Sequence, residues 1–82
     1  MTASTDTTLR ILSAVARGQV RHAHPAAWGR EADMLDVRDA SFARVERERL
    51  IKVLANAEGY WRPVIVTDKG KEFFAKHKEQ TP

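Results

Sequence analysis

The sequence predicts an α+β fold, three helices joined by short strands, and three observations carry that expectation. Apolar residues recur at helical spacing over residues 6–17 and again over 41–57. The β-branched run Val64–Val66 reads as a short buried strand. That run passes without a loop into Thr67-Asp68-Lys69-Gly70, a helix start, with Phe73, Phe74 and His77 following at helical spacing.

At 82 residues the chain is expected to form a single domain, with residues 1–5 and 79–82 as disordered ends. It has no cysteine, which excludes a disulfide framework and thiolate metal sites and suits a reducing cytosol. No apolar run reaches the length of a bilayer span, and the start MTASTDTTLR lacks a signal-peptide pattern. A cytoplasmic protein is expected.

The net charge of +3 is unevenly placed. Residues 1–40 balance five arginines against Asp6, Glu31, Asp33, Asp36 and Asp39, whereas residues 41–82 set nine basic residues against six acids. The surplus leans mildly towards a polyanionic partner.

Helix one is expected over residues 6–17. Thr5 or Asp6 can cap it, Leu9, Leu12 and Ala16 share a face with Ile11 and Val15 beside it, and Gly18 stops it. Residues 19–39 read as a loose hairpin or extended flap, with a turn at Trp28-Gly29-Arg30, or with a short helix across 26–32 as the alternative. Within it Met34–Arg38 alternates, placing Leu35 and Val37 on one side. Ser41 is the expected cap of a long helix over about 41–57, with Phe42, Ala43, Leu50, Val53, Leu54 and Ala57 inward. Arg44, Glu48 and Lys52 lie on its opposite face, and Gly59 ends it. Tyr60 and Trp61 begin an extended segment that Pro63 interrupts before Val64–Val66. Thr67 or Asp68 then caps the last helix, and Gly70 in its first turn allows a close backbone approach.

The run LANAEGYWRPVIVTDKGKEFFAKH resembles the end of small winged-helix regulators of the MarR and PadR type. These carry a helix ending in Leu-x-x-x-Gly-Leu-Val, a strand, and then Leu-Thr-x-x-Gly-x-x-x-Leu. The corresponding residues are Leu54 to Tyr60 and Val66 to Phe74, and LRILSAVARG is similar to the first helix of such domains. The resemblance implies a winged-helix-like fold and binding to double-stranded DNA by a small bacterial or phage transcriptional regulator, as a homodimer. Only a few residues separate Gly59 from Thr67, so the resemblance leaves a shortened wing, with the flap in its place.

Carried over from the family, the long helix would enter the major groove and present Ser41, Arg44, Arg47 and Lys52 to phosphates and base edges. Arg21, Arg30 and Arg38 would make the flap a basic finger. The ordinary reading of the same helix face is a solvated one laced by i,i+4 ion pairs, and Glu46 and Glu48 would repel phosphate. Trp28 and Tyr60 are candidate anchors for a protein partner, Trp28 as an exposed or dimer-buried aromatic. A protein-docking module of the same fold, without DNA binding, is the alternative function. His22-x-His24 has a zinc-compatible spacing but lacks a placed third ligand, so neither a metal nor another cofactor is expected. No nucleophile–base pair or phosphate-cradling loop appears, so an enzyme is not expected.

Overall fold

Two helix ends decide how this chain folds. The computed structural model describes residues 2–23, 27–54 and 60–78. Helix α1 spans Thr2–Ala16, so it begins ahead of the expected start at residue 6 and takes in residues 2–5. It stops where Gly18 adopts φ 76°. There the Gln19 N–H donates to the Ala14 carbonyl (3.0 Å) and the Gly18 N–H to the Val15 carbonyl (3.0 Å). This paired closure of a helix end is the Schellman motif, which favours glycine in its left-handed position.

Helix α2 spans Asp39–Arg47 and ends in the same motif. The Leu50 N–H donates to the Val45 carbonyl (3.2 Å) and the Arg49 N–H to the Glu46 carbonyl (2.9 Å). The left-handed residue is Arg49, with φ 64°. The helix expected to run to residue 57 therefore stops ten residues earlier, and Gly59, its expected stop, lies outside the described residues. Its start also differs. Arg38 occupies the N-cap position without a side-chain cap bond, and Ser41 sits within the first turn.

The early stop frees Ile51–Val53 to pair with Arg62–Val66 as a hairpin between α2 and the last helix, where the sequence left little room for one. Strand β3, Ile51–Val53, pairs antiparallel with β4, Arg62–Val66, in the register Ile51↔Val66, Lys52↔Ile65 and Val53↔Val64. The expected flap is the second hairpin of the same sheet. Strand β1, Val20–Ala23, pairs with β2, Ala27–Arg30, so Trp28-Gly29-Arg30 is strand and not turn. Strand β1 also pairs with β4 through Arg21↔Pro63 and His22↔Arg62, which gives the order β2-β1-β4-β3. With helix α3, Asp68–Lys78, the described residues form three α-helices and a four-stranded antiparallel sheet. The layout is α+β and compatible with a winged helix: α2 leads directly into the β3–β4 hairpin.

Between β2 and α2 the expected strand at Met34–Arg38 is a 3-10 turn over Ala32–Met34 and the bend that follows. Met34 and Val37 are buried three residues apart, while Leu35 is 69% exposed. Arg10 of α1 fixes this segment. Its guanidinium grips both Asp36 oxygens (2.9 and 3.0 Å) and the Asp33 carbonyl oxygen (2.9 Å). That hydrogen bonding holds the Asp36 carboxyl below its ordinary range and raises Arg10.

One face of the sheet packs on the helices. Val20, Trp28, Ile51 and Val64 meet Ile11, Leu12 and Val15 of α1 and Phe42 and Val45 of α2 in one core. No helix among the described residues is long and apolar enough to cross a membrane.

Candidate nucleic-acid interface

Helix α2 is amphipathic in a particular way. Phe42 and Val45 are buried, while Ala40, Ala43 and Arg47 are exposed at i, i+3 and i+7, so its solvent stripe is small until Arg47. Basic residues flank the stripe. Arg38 is exposed at the N-terminal end, Arg49 at the C-terminal end, and Lys52 on the outer face of β3. None of Arg38, Arg47, Arg49 and Lys52 has a carboxylate within ion-pairing distance among the described residues. Arg49 and Lys52 line one shallow depression with Glu46, Ile51, Val53 and Thr67.

Other expected contacts are turned inward. Arg44 donates to the buried Thr8 hydroxyl on α1 (3.0 Å) and to Glu48 (3.3 Å). It fastens α2 to α1 and is half-buried. Arg30 pairs with Asp39 and lies over the Phe42 ring, 4.9 Å from its centre. Its side chain is only 16% exposed. Arg21 folds back to donate to the carbonyls of Gly18 (2.7 Å) and Val20 (3.0 Å). Ser41 is half-buried in the first turn of α2. The structure thus brings Arg47 and Lys52 to the α2–hairpin junction, leaves Arg38 at the other end of α2, and spends Arg30 and Arg44 on internal bonds.

Trp28, expected as an exposed or dimer-buried aromatic, is a core residue. It stacks on Phe42 (5.6 Å between ring centres), takes His22 edge-on (4.5 Å), and is 7% exposed. The alternation of β2 decides this: Trp28 and Arg30 face α2, and Gly29 faces out. Tyr60 is 68% exposed, beside Trp61 at 46%. Trp61 lies against Gly29, where an added Cβ would come within 3.0 Å of its ring. Ile65, paired with Lys52, is also exposed on this outer sheet face.

His24 of the His22-x-His24 pair lies outside the described residues, and no group of metal-ligating side chains occurs among those described. His77 stacks on Phe73 (4.0 Å), and its Nδ1 lies 2.9 Å from the Phe73 carbonyl oxygen. Arg49 was not among the sequence candidates. The only local signal for it is the preference of Leu50 and Ile51 for burial directly after a charged run, which is too weak to place a turn.

No protein-family model matches the chain, and neither a curated protein nor a solved structure does.

Proposed function

We propose that the protein binds double-stranded DNA as a small winged-helix regulator or accessory factor, with α2 in the major groove and the β3–β4 hairpin as its wing. The observation that carries this reading is the solvent stripe of α2. Ala40 and Ala43 keep the middle of the helix thin, so its backbone can approach base edges closely. Arg38 and Arg49 flank it with positive charge that has no carboxylate partner among the described residues. Nine helical residues span roughly 14 Å along the axis, close to the major-groove width of about 12 Å. Cations at the two ends can therefore meet phosphates on the two walls of the groove, with Arg47 directed into it and Lys52 onto the backbone beside the hairpin. Arg38 supports the reading in a second way: a cation at a helix N-terminus opposes the helix dipole, and so favours a ligand over fold stability.

The test is fluorescence anisotropy of a random-sequence labelled duplex across a salt titration. Phosphate contacts make log affinity fall linearly with log salt, with a slope of about 0.9 per contact. Absence of binding at low salt and high protein concentration would remove the reading.

A second reading rests on a different observation. Tyr60 and Trp61 are exposed side by side, with ring centres 5.3 Å apart, and Ile65 is exposed further along the chain on β4; exposed apolar side chains of this kind dock protein partners. A second copy of the chain is the first occupant to test. Sedimentation velocity of the wild type and of Trp61→Ser over a concentration series decides it: self-association lost in the variant supports docking there, and two monomers exclude a homodimer there.

A further inference from the structure

The Schellman turns that close α1 and α2 have the same hydrogen-bond pattern but hold different residue types in the left-handed position. At the end of α1 the left-handed position holds Gly18, at φ 76°, as steric preference dictates. At the end of α2 it holds Arg49, at φ 64°. A side chain there is strained, because its Cβ crowds the backbone, and arginine has no special tolerance for this region. An arginine kept in such a place for stability should form an internal bond with its side chain. Arg49 is exposed and has no carboxylate partner among the described residues.

The surroundings hold the strained residue firmly. Its N–H donates to the Glu46 carbonyl (2.9 Å), and its own carbonyl accepts from the Thr67 hydroxyl (2.6 Å). The next residue is fixed as well: the Leu50 carbonyl accepts from the Thr67 N–H (3.0 Å). The direction in which Arg49 leaves the backbone is therefore set from both sides of the turn. It leaves beside a shallow depression of about 350 Å³, which it lines with Lys52, Glu46, Ile51, Val53 and Thr67. Two cations against one carboxylate leave a single positive charge at the depression. Strain retained by a well-held residue whose guanidinium has no carboxylate partner among the described residues points to a ligand.

We infer that the α2–β3 turn is a phosphate-binding site, with Arg49 as its main ligand and Lys52 as its second, and that the ligand is a phosphodiester of a nucleic-acid backbone. The inference rests on the duplex-binding reading and adds to it the residue that anchors the helix end. A singly charged phosphodiester matches the net charge of the site, and the guanidinium can take two of its oxygens at once.

Arg49→Gly separates this role from a structural one, because glycine relieves the backbone strain while removing the charge. Melting temperature is followed by circular dichroism, and affinity for a random-sequence labelled duplex by anisotropy over a salt titration. The expected result is a variant that melts higher than wild type but binds more weakly, with a salt slope reduced by about 0.9. Arg49→Lys, which keeps the charge, should keep the slope and lose affinity. A higher-melting Arg49→Gly with unchanged affinity and slope would overturn the inference and leave the duplex reading standing on Arg38, Arg47 and Lys52. A lower-melting Arg49→Gly would overturn the strain argument on which the inference is built. Wild-type protein without salt-dependent binding would overturn both readings together.

Discussion

Gly70 lies directly against the Leu50 carbonyl oxygen. A Cβ at residue 70 would overlap that oxygen and stand 2.8 Å from the Val66 Cγ1. The Gly70 N–H donates to the Thr67 hydroxyl (3.0 Å), so the first turn of α3 is capped and seated on the α2–β3 turn at one point. Alanine is the better helix former by about 1 kcal/mol. Overlap with a fixed backbone oxygen costs more, since overpacking a tight site costs about 1–3 kcal/mol. Gly70→Ala is therefore expected to melt below wild type, by about 5 °C or more for a domain of this size. A variant melting at or above wild type would mean that α3 moves freely against Leu50.

Arg44 and Lys52, which a continuous helix would set about two turns apart on one face, are separated by the end of α2: Arg44 is bonded to α1 and Lys52 is exposed on β3. Arg44→Ala loses the bond to Thr8, and the expected cost is about 1 kcal/mol of stability. Lys52→Ala removes an exposed strand residue and should change stability by less than about 0.5 kcal/mol. Its expected effect is on duplex binding, with the salt slope smaller by about 0.9. Denaturant melts and anisotropy on the two single variants check this. Equal stability losses would contradict the arrangement.

The Arg10–Asp36 pair gives a pH signature. Hydrogen bonding to Arg10 depresses the Asp36 carboxyl in the folded state. A depressed carboxylate stabilises the fold fully above its unfolded value of about 4, and this contribution is lost as pH falls through the folded value. Asp36→Asn should thus melt below wild type at neutral pH, with the gap closing under acid. Melting curves from pH 7 to pH 2 measure it, and a gap that stays constant would show that the charge is not involved. The pair is solvent-exposed, so 1 M salt should narrow the gap at neutral pH.

Phe42 is fully buried between Trp28 and the Arg30 guanidinium. Phe42→Ala should cost about 3–5 kcal/mol, which is most or all of the stability of a small domain. Near-ultraviolet circular dichroism should lose the ordered Trp28 signal. Retention of that signal in the variant would mean that Trp28 is held by its other neighbours alone.

The parts of the fold that were legible are those whose local chemistry agrees with their place. Gly18 ends α1, Thr67 caps α3 in the motif that follows Val66, and Gly70 takes the close approach expected of it. The end of α2 was hidden because its stop signal is an arginine. Leu50, Ile51, Val53 and Leu54 fit a helical stripe as well as they fit a strand, and only pairing with Val64–Val66 selects the strand. That one misplaced boundary also concealed the β3–β4 hairpin and Arg49. Trp28 was misjudged because its neighbours in sequence are polar or small, while its neighbours in space are Phe42 and His22. The charges of the flap could not be sorted either. Arg30 and Arg38 look alike in sequence, and only the position of Asp39 and Phe42 makes Arg30 structural.

The turn that holds Arg49 is closed by residues 67–70, well downstream in the chain. A nine-residue α2 is marginal on its own, and during synthesis its last turn has no outside brace until those later residues are made and docked. The basic end of the helix is thus assembled late, as an event of tertiary folding. A nascent or C-terminally clipped chain would carry the same positive charges without holding them in place. On the duplex-binding proposal, attraction to polyanions would survive in such a chain, and orientation on them would not.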